Sequence, residues 1–96
     1  MKFEWDKDEN QINKQKHSVS FEEASTVFYD EEAVLIFDPD HSENEDRFLL
    51  LGRSTALRIL IVCHCSRDKD DEIIRIISAR KANSEERKQY SSKARI

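Results

Sequence analysis

An apolar run with two arginines, at residues 73–82, constrains the fold of this chain more than any other feature. Its isoleucines predict a strand over residues 72–80 that lies inside a sheet. A guanidinium on a strand with at least one buried face must pair with a carboxylate or bind an anionic ligand. Arg75 and Arg80 therefore each have two interpretations, a structural ion pair or an anion site, and the sequence leaves both open.

Length and charge predict one domain over residues 1–96, with a tail that frays after about residue 90. Residues 1–46 contain four Lys or Arg and fourteen Asp or Glu, a net charge of −10, whereas residues 47–96 contain twelve and six, a net charge of +6. This division suggests one surface for a polyanion and another for a basic partner. The alternative is that folding interleaves the two halves and cancels the asymmetry.

The order of predicted elements indicates an α+β fold. Phe3 and Trp5 alternate with acids in a short strand or anchoring arm, and Asp6 can cap the helix that follows. Ser20 and Glu23 have capping-box spacing. Helices are expected at residues 6–16 and 21–28 and from Asn83 onward, and strands at residues 33–37, 47–52, 57–65 and 72–80. We therefore expect two N-terminal helices, a mainly antiparallel sheet of about four strands and a C-terminal helix.

Several classes of site and location are disfavoured. The sequence contains no P-loop, no GxGxxG motif and no cluster with metal-ligand spacing, so we expect no cofactor and no bound metal. Cys63 and Cys65 flank His64, but alternation puts the thiols opposite the imidazole, so we expect reduced cysteines. The acidic N-terminus does not resemble a signal peptide, and the longest apolar run is too short to span a bilayer. These features predict a soluble, cytoplasmic protein.

The strand that contains His64 has two distinguishable faces. Ile59, Ile61, Cys63 and Cys65 form a wholly apolar face, which we expect to meet the helices. His64 would then project from the open side, where an imidazole suits acid-base chemistry. Arg75 and Arg80 are five residues apart, so a regular strand would send them to opposite faces. Both can serve one cleft only if a bulge intervenes or if Arg80 lies beyond the end of the strand, and the sequence leaves these two alternatives open.

Several separated motifs together resemble the BrnT family. They are FEWDKDEN, NKQKHSVSFEEASTVF, HSENEDRF with Gly52 soon after, and IRIISARKA with ER and Tyr90 behind it. The resemblance runs from Phe3 to about Tyr90. It implies a RelE-like fold, a metal-independent endoribonuclease that inhibits translation and growth, and the toxin role in a type II toxin-antitoxin pair. It also implies a BrnA-type antitoxin with a ribbon-helix-helix portion. Only this antitoxin would bind operator DNA, so the toxin would be brought to the operator as part of the complex.

Cleavage of RNA requires a base, an acid and cations around the phosphate. The predicted catalytic residues are His64, Arg67, Arg75 and Arg80. The predicted RNA-binding residues are Lys16, His17, Arg47, Arg58 and Lys81. Each has a plainer alternative: a surface histidine, a solvated charge, a salt bridge for Arg47, or an ion pair between Arg80 and Glu86. Tyr90 either stacks on a base or attaches the last helix to the sheet, and attachment is the preferred interpretation.

A ribonuclease toxin is the leading functional hypothesis. The alternative is a non-catalytic RNA- or protein-binding module of the same fold. A DNA-binding transcription factor fits poorly, because no predicted helix has an exposed basic recognition face.

Overall fold

The computed structural model describes residues 1–37, 47–67 and 72–94. Within these residues the chain forms five strands and three α-helices. In chain order they are β1 (Lys2–Glu4), α1 (Lys7–His17), α2 (Phe21–Thr26), β2 (Val34–Phe37), β3 (Phe48–Arg53), β4 (Ile59–Ser66), β5 (Ile73–Lys81) and α3 (Ser84–Ala94). The predicted α+β class is confirmed. The fifth strand is β1, the segment that the sequence left as either strand or arm.

The five strands form one sheet in the order β1-β5-β4-β3-β2. The three pairs among β2 to β5 are antiparallel, whereas β1 lies parallel to β5. The predicted turn after β2 and the predicted charged loop before β5 lie outside the described residues. Among the described residues, no helix is both long and apolar enough to cross a membrane.

The first two helices begin where their capping residues predict. The Asp6 carboxylate accepts hydrogen bonds from the amides of Asp8 and Glu9, at 2.8 and 2.9 Å. Ser20 Oγ accepts from the Glu23 amide at 3.0 Å. These bonds satisfy amides that lack a partner within the helix. The predicted second helix is interrupted, because its last turn, Val27–Tyr29, is a 3₁₀ helix.

The third helix begins with a complete capping box. Asn83 Oδ1 accepts from the Glu86 amide, and Glu86 Oε1 accepts from the Asn83 amide, both at 2.8 Å. The helix continues to Ala94, four residues beyond Tyr90. The fraying of the tail after about residue 90 stays a prediction.

Both faces of the sheet are covered, by different helices. On the α1/α2 face, Val19, Phe21, Ala24 and Val27 pack against residues of β3, β4 and β5, which are Leu50, Leu60, Val62, Ile76 and Ala79. On the α3 face, Tyr90 packs with Leu51, Ile61 and Ala82. The prediction that the odd-numbered residues of β4 meet the helices holds for α3 alone, because Ile61 packs with Tyr90 whereas the even-numbered Leu60 and Val62 meet α1 and α2. Residues on both faces of β4 are apolar, so the alternation does not identify which face the helices cover.

Tyr90 attaches α3 to the segment between the 3₁₀ turn and β2. Its hydroxyl donates to Asp30 Oδ2 at 2.7 Å, and burial together with that carboxylate raises the pKa of Tyr90 to about 12. The ring is only 4% exposed, which fits the preferred interpretation of attachment. On the other face of β3, Gly52 lets the segment between α2 and β2 pack closely, because an added Cβ would lie 2.8 Å from Val27 Cγ1 and 3.0 Å from Ala33 Cβ.

Candidate functional site

A β-bulge in β5 places Arg75 and Arg80 on the same face of the sheet. Opposite β4, Cys63 pairs with Ser78 but His64 pairs with Ile76, so Ile77 is the extra residue. Arg75 is opposite Cys65, and Arg80 is opposite Ile61. Those two β4 residues are four positions apart and share the α3 face, at a separation of about 13 Å along the strand. The two arginines can therefore contact one extended ligand.

Arg75 lies at one end of this face and shares a carboxylate with Arg67. Glu4 is the neighbour of Arg75 across β1, and its Oε2 lies 4.0 Å from Arg75 Nη1. Glu4 Oε1 lies 3.3 Å from Arg67 Nε. The Arg75 side chain is 29% exposed. An ion pair at the outer limit of contact holds a guanidinium weakly, so Arg75 can turn towards an incoming anion.

Arg80 lies towards the other end of this face and is held firmly. Its two terminal nitrogens donate to the two oxygens of Glu86 at 2.8 and 2.9 Å. This hydrogen-bonded pair lowers the pKa of Glu86 and raises that of Arg80. The structural alternative for Arg80 is therefore present, and the Arg80 side chain still remains 42% exposed.

Lys16 and His17 lie in a separate groove beside the same strand. The groove has a volume of about 200 Å³, and Ile77 and Ser78 of the bulge form its other wall. Ser78 is also opposite Cys63 on the α3 face. The bulge is thus where the groove and the arginine-bearing face meet.

Asn13 holds α1 against β5 beside this groove. Its Nδ2 donates to the carbonyls of Val19 and Ala79, each at 2.8 Å, and its Oδ1 accepts from the Ala79 amide at 3.1 Å. The side chain thus pairs with β5 much as a neighbouring strand would. Asn13 is not among the residues predicted from the sequence. The available clue was that Asn10 and Asn13 are three residues apart, and so on one side of a helix whose one large apolar residue is Ile12.

Arg58 and Lys81 are not brought to the arginine-bearing face. Arg58 Nε donates to Glu23 Oε2 at 2.9 Å, Nη2 donates to Glu23 Oε1, and Nη2 also donates to the Ser18 carbonyl at 2.9 Å. The bond from Arg58 is the main reason that the pKa of Glu23 is lowered, and Lys81 lowers it further. Lys81 is opposite Leu60, on the α1/α2 face. Arg58 therefore has a structural role here.

Arg47 and the two cysteines have no established part in either surface, although Cys63 and Cys65 lie on the arginine-bearing face, opposite Ser78 and Arg75. Arg47 comes immediately before β3, and its Nε is buried with no hydrogen-bond partner among the described residues. Its RNA-binding role stays a prediction. Cys63 and Cys65 are thiols, as expected, with Cys65 fully buried.

The expectation that His64 projects from an open side of the sheet is wrong. The imidazole is 5% exposed and lies on the α1/α2 face, where Phe28 meets it edge-on at 4.7 Å and Phe48 stacks at 6.0 Å. Its Nδ1 is 3.2 Å from the Val62 carbonyl, so Nδ1 donates and Nε2 remains an acceptor. Burial lowers the pKa of His64. The structure does not bring His64 together with Arg75 and Arg80.

We expect His64 to make the protein sensitive to mild acid. Because its pKa is lower in the folded protein than in the unfolded chain, the unfolded chain binds the proton more readily. The contribution of the neutral His64 to the free energy of unfolding is therefore fully present above about pH 6.5, the pKa of histidine in the unfolded chain. It is lost as the pH falls from there towards the lower pKa of His64 in the folded protein. The slope cannot exceed about 1.4 kcal/mol per pH unit, since one proton is involved.

Urea unfolding at pH 7.5 and 5.5 measures this effect. The free energy of unfolding should fall more in the wild type than in His64→Leu. His17→Leu is the control, because it removes an imidazole from a groove instead of from the core. An equal fall in the wild type and His64→Leu would contradict the prediction.

Comparison with known proteins identifies the family. Residues 5–86 match the family described as the ribonuclease toxin BrnT of type II toxin-antitoxin systems. The fold is similar to the crystal structure of the Brucella abortus ribonuclease toxin BrnT, with a TM-score of 0.64 and 24% sequence identity over 88% of this chain and 99% of that one. No curated protein sequence matches significantly. The chain belongs to the BrnT family of ribonuclease toxins of type II toxin-antitoxin systems.

Proposed function

We propose that this protein is the toxin of a type II pair and cleaves cellular RNA as a metal-independent endoribonuclease. The observation that carries the proposal is the bulge at Ile77, because it aligns Arg75 and Arg80 on one face. Two guanidiniums on one face, next to a groove that contains Lys16 and His17, suit a polyanionic strand better than a neutral ligand. The RelE-like description of the fold is part of this proposal.

The proposed reaction uses the RNA's own 2′-hydroxyl as nucleophile. A base removes its proton, the 2′-oxygen bonds to phosphorus, and the bond from phosphorus to the 5′-oxygen breaks. A protonated group then supplies a proton to the leaving 5′-oxygen, which gives a 2′,3′-cyclic phosphate and a 5′-hydroxyl. Arg75 would stabilise the charge on the phosphate oxygens, with Arg67 beside it and Arg80 on the next stretch of backbone.

Two imidazoles are candidates for the base. His17 lies in the groove that adjoins the bulge, whereas His64 lies on the other side of the sheet. Position favours His17, because its groove adjoins the face that carries Arg75. His64 can act on the phosphate only if the RNA also reaches the α1/α2 face. The prediction of a catalytic His64 therefore carries less support than it did from the sequence.

We also propose an antitoxin as the partner and the cytoplasm as the location of the protein. A toxin of this family implies an antitoxin, and we propose a BrnA-type protein with a ribbon-helix-helix portion, which would also provide all contact with operator DNA. Loss of cellular RNA would inhibit translation and growth in the cytoplasm until the antitoxin binds.

Cleavage by the purified protein in EDTA tests the proposal. We expect a single-stranded RNA to be cut with a 2′,3′-cyclic phosphate on the upstream product. The matched substrate is the same RNA with a 2′-deoxy sugar at the cleaved position, which should remain intact. Binding without cleavage would instead support the non-catalytic module, and cleavage that EDTA abolishes would contradict metal independence. Comparison of His17→Ala with His64→Ala then identifies the base.

A further inference from the structure

The cleft around His64 is separate from the arginine-bearing face and is mainly apolar. It has a volume of about 450 Å³, and its walls include Phe28, Leu35, Phe48 and the buried imidazole. These side chains come from the 3₁₀ turn, β2, β3 and β4. A pocket with aromatic walls and one buried polar group is suited to a large apolar side chain from a partner.

The strand beside the cleft exposes more apolar surface. Among the described strands, β2 is the last in the sheet order. Leu35 is 59% exposed and Ile36 is 37% exposed, on opposite faces of β2. Two exposed aliphatic side chains on a terminal strand, next to an apolar cleft, are typical of a protein-binding surface.

The charge beside this surface favours a basic partner over RNA. Glu31 and Glu32 are exposed and lead directly into β2, and Asp30 lines the cleft. Burial would raise the pKa of Asp30, but hydrogen bonds from the Arg53 amide and the Tyr90 hydroxyl lower it overall, so the carboxylate stays ionised. RNA phosphates would be repelled here, whereas lysines or arginines of a peptide would be attracted.

We propose that this cleft receives a segment of the antitoxin in which a large apolar side chain enters beside His64, and flanking lysines or arginines meet Glu31 and Glu32. The inference rests on the proposed function for the existence of that partner. It places antitoxin contact on the α1/α2 face, in a cleft that reaches from Leu35 of β2 to Ile74 of β5, and RNA contact on the opposite face, which carries Arg75 and Arg80.

The test uses toxin co-expressed and purified with the antitoxin proposed above, and measures binding of that antitoxin to toxin variants. Leu35→Arg places a charge at the apolar mouth of the cleft, and the double variant Glu31→Lys with Glu32→Lys reverses the acidic charge. Leu57→Arg is the control for the first, because Leu57 is 77% exposed in the β3–β4 turn. Glu85→Lys, at an exposed position on α3, is the control for the second.

We expect each cleft variant to weaken binding by about tenfold or more, while the controls stay within about twofold of wild type. The double reversal should also slow association at low salt and lose that effect at high salt. Each variant is also assayed on RNA alone, where cleavage should be unchanged. Unchanged antitoxin binding in both cleft variants would overturn the inference and leave the proposed nuclease intact. Lost cleavage with unchanged antitoxin binding would assign the cleft to RNA instead.

Discussion

Arg75→Ala is expected to reduce the rate of RNA cleavage by about 10²- to 10³-fold while the protein stays folded. The loss follows from removing a guanidinium that would neutralise charge on the phosphate in the transition state. Folding should survive, because the only ion pair between described residues that Arg75 makes is the 4.0 Å contact with Glu4. Partly exposed pairs of this kind contribute little to stability. Single-turnover cleavage and thermal unfolding of the same preparation measure both effects.

Lys88→Ala is the matched control for Arg75→Ala, because it removes one positive charge from an exposed position on α3. Arg75→Lys should cleave faster than Arg75→Ala but more slowly than the wild type, since an ammonium group cannot form a bidentate contact with phosphate. Arg80→Ala is a poorer probe, because it also leaves Glu86 and the α3 capping box without their partner. A well-folded Arg75→Ala that cleaves at the wild-type rate would contradict the role assigned to this residue.

The sequence predicts the helix starts well because their causes are local. Asp6, Ser20 and Asn83 each bond to an amide within three residues, so the spacing alone specifies the contact. The strands are also predicted to within two residues of their observed ends, because runs of branched apolar residues mark them. The class of fold follows from the order of these elements.

The faces of the strands could not be predicted, because apolar residues occupy both sides of β4 and a bulge interrupts β5. Alternation places a residue on one of two faces but does not say which helix covers that face. The extra residue at Ile77 reverses the alternation in β5, and no glycine or proline in the strand marks it. The joint placement of Arg75 and Arg80 is therefore visible only in the structure.

The ion pairs of the candidate site residues could be predicted only where the partner is close in the chain. Arg58 pairs with Glu23, which lies 35 residues earlier, and nothing in the spacing indicates that contact. Arg80 differs, because Glu86 is only six residues away and the sequence already offered it as a partner. The RNA-binding roles of Arg58 and Lys81 stay predictions, although both residues lie away from the arginine-bearing face.

Asn13→Ala is expected to cause the largest loss of stability among the variants considered. The substitution removes the side chain that hydrogen-bonds to three backbone groups inside the protein. These are the Ala79 N–H, the Ala79 carbonyl and the Val19 carbonyl. A buried polar group left unpaired costs about 1–3 kcal/mol, so three such groups predict a loss of about 2–4 kcal/mol after partial relaxation. Urea unfolding measures this directly. Because Ala79 is two residues from Ile77, we also expect cleavage by the remaining folded protein to slow by more than about tenfold.

Gln15→Ala is the control for Asn13→Ala, because it removes an exposed amide from the same helix and should change the free energy of unfolding by less than about 0.5 kcal/mol. Asn13→Asp tests the hydrogen bonds of the side chain with almost no change in its size. It keeps an acceptor for the Ala79 amide but loses both donors and sets a carboxylate against two carbonyls, so it should be no more stable than Asn13→Ala. An Asn13→Asp protein as stable as the wild type would show that α1 is held to β5 by apolar packing alone. Cleavage at the wild-type rate by a destabilised Asn13→Ala protein would show that the arginines keep their alignment without this contact.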